Sequence, residues 1–177
     1  MKSVALRGLE STTFKALGAD LKTNHSHLFY YFASKEELFE ACLRWVHGKI
    51  QDRIVSELSA HSDHSIKVRI QAYISAIFDC LQENPHFAST IVVSMHYAHY
   101  DDKYAQFYNR LRDGARNRIA EILAPCRLSE EKRRSIAHSL FMLIIGNIIG
   151  QVCEKPREPI AKLKKRLIQS ALKLAES

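Results

Sequence analysis

Apolar residues return along this chain at helical spacing and show no convincing alternation, so the pattern predicts a string of helices. From Lys35 onward, Leu38, Cys42, Trp45, Val46, Ile50, Ile54 and Leu58 share one face. A second stripe holds Ile66, Ile70, Tyr73, Ile74, Ile77, Phe78 and Leu81. Helices over residues 86–100 and 102–124 follow, then one from Glu130 to about Cys153. The last stripe is Ile160, Leu163, Leu167, Ile168, Ala171 and Leu174. Start and stop signals agree with these limits. Ser34-Lys35-Glu36-Glu37 is a capping box, in which the serine hydroxyl accepts from the third helical amide and the glutamate reaches back. Asn84-Pro85 ends one helix and is expected to open the next, and Ser129-Glu130-Glu131 sets acids at a positive helix end. The fold class is all-α, without an internal repeat.

The helix from Glu130 is apolar on more than one face. The rows Ile136-Leu140-Ile144-Ile148-Val152 and Ala137-Phe141-Ile145-Ile149 are both hydrophobic. Two readings stay open: a central core helix, or a core helix that also packs against a partner. Gly146 and Gly150, four apart, would allow close backbone approach along one line.

Composition narrows the class. A chain of 177 residues is one domain, or one domain with a small second module, and buries a core without metal or disulfide staples. Only 6 Gly and 4 Pro leave too few turns for a β-sandwich or barrel. Cys42, Cys80, Cys126 and Cys153 form no Cys-x-x-Cys, which suits four thiols in a reducing compartment. No uninterrupted apolar run reaches the roughly 20 residues of a membrane span, and no signal-peptide stretch opens the chain. A cytoplasmic protein is expected.

A formal charge of +7 invites a nucleic-acid reading, yet its distribution is uneven. Residues 126–177 carry 11 basic and 5 acidic side chains, whereas residues 1–58 carry 8 and 7. The C-terminal clusters are explained as the solvated faces of two amphipathic helices or as a DNA- or membrane-contacting surface, and the first explanation is preferred.

The segment TTFKALGADLKTNHSHLFYYFASK, residues 12–35, is more informative. Thr12 or Thr13 caps a short helix whose Phe14, Leu17 and Leu21 face inward; after a break at Lys22-Thr23, Asn24 caps a second. Two helices joined by three or four residues form a helix-turn-helix, which places the start of the second helix in the major groove. His25, Ser26 and His27 stand at that start.

Gly8, Thr12, Leu17-Gly18, Lys22-Thr23-Asn24, Leu28-Phe29-Tyr30-Tyr31-Phe32 and Ser34-Lys35-Glu36-Glu37-Leu38 follow, without a gap, the pattern of the DNA-binding domain of the TetR family. The segment resembles that family of bacterial regulators over about 31 residues, most specifically in its C-terminal half. The resemblance implies a homodimeric repressor that binds a palindromic DNA operator and is released by a small-molecule effector. It divides the chain into a DNA-binding domain over 1–46, its first helix shortened, and a ligand-binding and dimerisation domain over 47–177. By position, DNA contacts fall on Lys15, His25, Ser26, His27, Phe29, Tyr30, Tyr31 and Lys35. Core packing for the two tyrosines, and a solvated helix start for Lys35, are the competing readings. The family's last two helices build the dimer, here through Phe141, Ile144, Ile145, Ile148, Ile149, Leu163 and Leu167.

Three positions depart from the family pattern. Only Met1 to Arg7 precede Gly8, Lys22 stands where the turn carries glycine, and Phe29 replaces a tyrosine. A non-glycine residue is disfavoured in a left-handed turn. Poor DNA binding by this chain without a longer first helix is therefore expected. The competing function is a ligand-binding dimer of the same fold that has lost operator binding.

For an effector pocket, the sequence offers Phe78, Met95, His96, His99, Tyr100, Tyr104, Phe107 and Phe141, an aromatic set suited to an apolar or aromatic molecule. Core residues with polar tips are the competing explanation for the stretch 95–108. His96 and His99 share a helix face near Asp101 and Asp102, but spacing fixes no third ligand, so neither metal nor cofactor is expected. Gly-x-Ser-x-Gly, His-Glu-x-x-His and phosphate-cradling glycine loops are all missing, and the chain reads as a non-enzyme.

Overall fold

The computed structural model describes Gly8, residues 11–155 and residues 157–176, and every described element is a helix. The elements are α1 (Phe14–Leu21), α2 (His25–Tyr31), α3 (Lys35–Ala60), α4 (Ile66–Glu83), α5 (His86–Tyr97), α6 (Asp102–Ile122), α7 (Glu130–Cys153) and α8 (Ile160–Glu176). The shortened first helix expected before Gly8 lies outside the described residues.

Side-chain caps start most of these helices. Thr13 Oγ1 accepts from the Ala16 amide at 3.1 Å and Asn24 Oδ1 from Ser26 at 3.0 Å. Ser34 Oγ accepts from Glu37, Asp101 Oδ1 from Lys103, and Ser129 Oγ from Lys132. Thr12, the other possible cap, donates its hydroxyl to the Gly8 carbonyl instead. Asn84 does not open α5. Its side-chain amide donates to the Cys80 carbonyl at 3.0 Å and so closes α4, leaving Pro85 to begin the next helix. Helix α5 stops at Tyr97, three residues short of the expected limit, because the chain turns over 98–101 into the Asp101 cap.

The main core gathers the inner faces of α3 to α8 around Phe78, Phe87, Ile74, Ile122, Leu140 and Leu167. On α3 the buried positions of the first turns are Phe39 and Leu43, one residue along from the expected Leu38 and Cys42. Trp45, expected inside, is half exposed with one edge against Phe87 at 5.3 Å. By length and composition α7 could cross a membrane, but here it is a central helix whose Ile136, Leu140, Phe141, Ile144 and Ile148 face the core. Helix α8 seats Leu163, Leu167 and Ala171 against the body, and Lys164 pairs with Asp79 of α4 at 2.5 Å.

The turn between α1 and α2 resolves the lysine anomaly. Lys22 adopts the left-handed conformation, with φ 53° and ψ 39°. Its amide donates to Ala19 O at 3.2 Å and the Thr23 amide to Gly18 O at 2.9 Å, the paired bonds of a Schellman helix end. Sequence and geometry conflict at this one residue, and the hydrogen bonds decide the outcome. Removing the Cβ should relieve about 1 kcal/mol of steric cost. Lys22→Gly is therefore expected to slow amide exchange in Phe14–Leu21, measured by mass spectrometry; unchanged or faster exchange contradicts this.

Candidate nucleic-acid interface and effector cavity

Helices α1 and α2 form a small head at the start of α3. Phe14 and Leu17 are buried beneath it, and Phe29 packs edge-on against Phe14 with ring centroids 4.4 Å apart. Ser26 and His27 are exposed at the start of α2, and His27 Nδ1 lies 3.5 Å from the Thr23 hydroxyl. Tyr30 and Tyr31 are 83% and 71% exposed, packed edge-to-face on each other rather than into the core. The core-packing reading of these tyrosines fails. Lys15 is exposed on α1, and Lys35 is half-buried with its ammonium 4.0 Å from Glu36. The head thus presents hydroxyl, imidazole and phenol groups that can meet base edges and phosphates. His25 starts the same helix.

A second small core joins the head's support to the body. Phe39 and Leu43 of α3 meet Tyr104 of α6, with Tyr97 and Phe107 packed around them. Glu40 binds both Lys103, at the start of α6, and Arg44 one turn along α3. The Tyr104 hydroxyl is buried without a hydrogen-bond partner, and burial, followed by the nearby Glu40 charge, pushes it up to about 12. The boundary expected between residues 46 and 47 falls inside continuous α3.

Two concavities compete as ligand sites. The larger, about 680 Å³, is an open groove between α6 and α7 carrying both signs of charge, including Arg116, Arg133, Arg134, Asp113 and Glu130. The smaller, about 80 Å³, lies among α3 to α7 and is walled by His47, Tyr73, Met95, Tyr108, Phe141 and Ile145 with further aliphatic residues. Size favours the groove, but apolar enclosure is what holds an organic ligand, so the smaller cavity is the better candidate.

Of the pocket residues read from sequence, Met95 and Phe141 line this cavity. Phe78 is fully buried in the main core, and Tyr104 belongs to the junction. Phe107 stands behind His47, ring centroids 5.2 Å apart. His96 is exposed on the last turn of α5, and His99 and Tyr100 are exposed in the turn that follows it. Tyr108, the last residue of the stretch 95–108, also lines it, whereas sequence reasoning missed His47, Gln51, Tyr73 and Ser94. The signal for His47 was available: it lies four residues after Leu43 and three before Ile50, on the buried face of α3.

The residues assigned to a dimer face also divide. Leu163 and Leu167 are buried within the protomer, as are Phe141, Ile144 and Ile148, because α8 packs against α4 and α7 turns that side inward. Ile145 lines the cavity. Ile149 is 37% exposed, and Met142, outside the expected set, is 49% exposed beside it. Nothing comes within 4 Å of a Cβ built at Gly146, so that glycine serves no close approach inside the protomer.

Comparison with known proteins follows the same outline. Residues 1–42 match the family described as bacterial regulatory proteins, tetR family. The nucleoid occlusion factor SlmA of Haemophilus influenzae (strain PittGG) is 27% identical over 110 residues, covering 59% of this chain and 49% of that protein. The chain thus spans about half the length of the curated relatives it matches. A TetR-like transcriptional regulator from Rhodococcus sp. RHA1 superposes with a TM-score of 0.80 at 15% identity, covering 97% of this chain and 88% of the other. A protein described as a transcriptional regulator from Saccharomonospora viridis, in complex with choline, gives 0.78 at 21% identity, covering 94% and 88%. At these identities the structures show a shared fold.

Burial lowers His47 to about 4, against 6.5 for a free imidazole. Between those values the unfolded chain takes up a proton that the folded one refuses. The stability due to neutral His47 is full above pH 6.5 and is lost as pH falls towards 4, at up to about 1.4 kcal/mol per pH unit. Urea denaturation between pH 7 and 4.5 should show that slope, and His47→Leu should flatten it. An equal slope in both proteins contradicts the assignment.

Proposed function

We propose that this chain, a tetR-family transcriptional regulator by its N-terminal segment and fold, represses transcription as a homodimer on a palindromic operator and releases it on binding a small effector. The exposed helix-turn-helix carries the reading: Ser26, His27, Tyr30 and Tyr31 stand clear of the core on α2, where a purely structural helix would bury its aromatic residues. Two copies joined through Met142 and Ile149 of α7, with Gly146 between them, would set two heads on one duplex. The apolar cavity supports the effector arm, and the choline held by the Saccharomonospora protein is a precedent for a small ligand on this fold. A cytoplasmic setting fits this work.

Selection from random duplexes, followed by anisotropy titration at two salt concentrations, tests the reading. One palindromic family should emerge, with affinity falling steeply as salt rises because phosphate contacts release counterions. Tyr30→Ala with Tyr31→Ala should weaken that binding at least about tenfold, roughly 1.4 kcal/mol, while leaving the melting temperature unchanged. Met142→Lys with Ile149→Lys should yield monomers in sedimentation velocity and lose duplex affinity. A dimer with no selective duplex binding would instead support the ligand-binding module without an operator.

A further inference from the structure

The effector cavity has an unusual wall. None of its lining residues is charged, although the chain as a whole is one-quarter Asp, Glu, Lys and Arg. A ligand with a formal charge would leave water and meet no counter-charge there. Aliphatic and aromatic side chains supply most of the contact, chiefly Ile50, Ile54, Ile77, Ile144 and Phe141.

The polar side chains in the wall are His47, Gln51, Tyr73, Ser94 and Tyr108, and of these His47 is the one with a buried atom left unpaired among the described residues. Ser94 already donates its hydroxyl to the Ile91 carbonyl at 2.7 Å. His47 is different, since its Nε2 is buried and has no hydrogen-bond partner. The ring is fixed from behind by the edge of Phe107, at 5.2 Å and an interplanar angle of 68°. Buried polar groups without partners are rare because each has lost water and gained nothing. An orphaned nitrogen on a ring that walls an apolar cavity is accounted for if the missing partner arrives with the ligand.

We infer that the cavity takes an uncharged, largely apolar molecule carrying one hydroxyl, a phenol or an alcohol, whose hydroxyl pairs with Nε2 of His47. A hydroxyl suits this position because it both donates and accepts, so it satisfies Nε2 in either neutral tautomer. Burial keeps the imidazole neutral at ordinary pH, which is consistent with an uncharged partner. The enclosed volume of about 80 Å³ is below the roughly 150 Å³ that houses a benzene, so a single ring sits with one edge at the open mouth. The inference rests on the effector reading for its biological meaning, but not for its chemistry.

The test uses the full chain with p-cresol and toluene, which differ by one hydroxyl. Calorimetry should give p-cresol at least about tenfold tighter binding than toluene, because a site built around a hydroxyl penalises the analogue that lacks it. His47→Leu should erase the difference by weakening p-cresol without weakening toluene. In unmodified protein labelled with ¹⁵N-histidine, the His47 Nε2 resonance should shift with p-cresol and not with toluene, a readout that survives if the variant fails to fold. Equal affinities, a preference that persists in His47→Leu, or no binding of either probe would overturn the inference. Displacement of p-cresol by tetramethylammonium would overturn the uncharged class. If p-cresol binds as described but leaves duplex affinity unchanged, the ligand chemistry stands and the effector reading falls.

Discussion

One uninterrupted helix runs from the small N-terminal head into the wall of the body's cavity, and that continuity constrains the rest of the structure. Helix α3 runs 26 residues from Lys35 to Ala60, about 39 Å at 1.5 Å per residue. Its first turn is capped by Ser34 directly after the head, while Glu37 reaches back to the Ala33 amide at 2.7 Å. Its middle carries His47, Ile50 and Ile54 into the cavity wall. A shift of this helix at the cavity is therefore expected to carry the head with it. The clamp at Glu40, with Lys103 on one side and Arg44 on the other, ties the same rod to the start of α6. Phe39 and Leu43 close the joint with Tyr97 and Tyr104, whose rings lie 5.8 Å apart.

The head has little stability of its own to spend. Its two described helices span 8 and 7 residues, lengths that are marginal in water without packing partners. Their order comes from the buried Phe14 and Leu17, from two side-chain caps and from a Schellman turn that tolerates a strained lysine. Such a unit unfolds locally at lower cost than the body. The body is the reverse: a large shared core of six helices, with a largely apolar cavity in whose wall the His47 Nε2 is left without a partner.

Much of this was legible in the chain. Helical spacing and cap residues located the elements, since Ser34, Asn24 and Ser129 act locally and leave a local signature. The helix-turn-helix was legible for the same reason. What failed was anything decided by contacts distant in sequence. Trp45 sits on the expected stripe yet faces outward, because Phe39, Leu43 and Val46 take the inner positions. Leu163 and Leu167 read equally well as core or interface until α8 is seen against α4. The aromatic run 95–108 suggested one pocket wall, but a turn at 98–101 scatters it among cavity, junction and surface. For His47 the spacing to Leu43 and Ile50 gave its face, but a lone histidine on an apolar face carries no motif that gives its role.

The claim that head and body move as one through α3 is open to a direct distance measurement. Nitroxides at Leu21→Cys and Val55→Cys, both exposed positions, would be placed in protein with Cys42, Cys126 and Cys153 replaced by serine. Double electron–electron resonance should then give a single narrow distance distribution for the free protein. A broad or two-peaked distribution, with the head pivoting at the start of α3, would contradict the account.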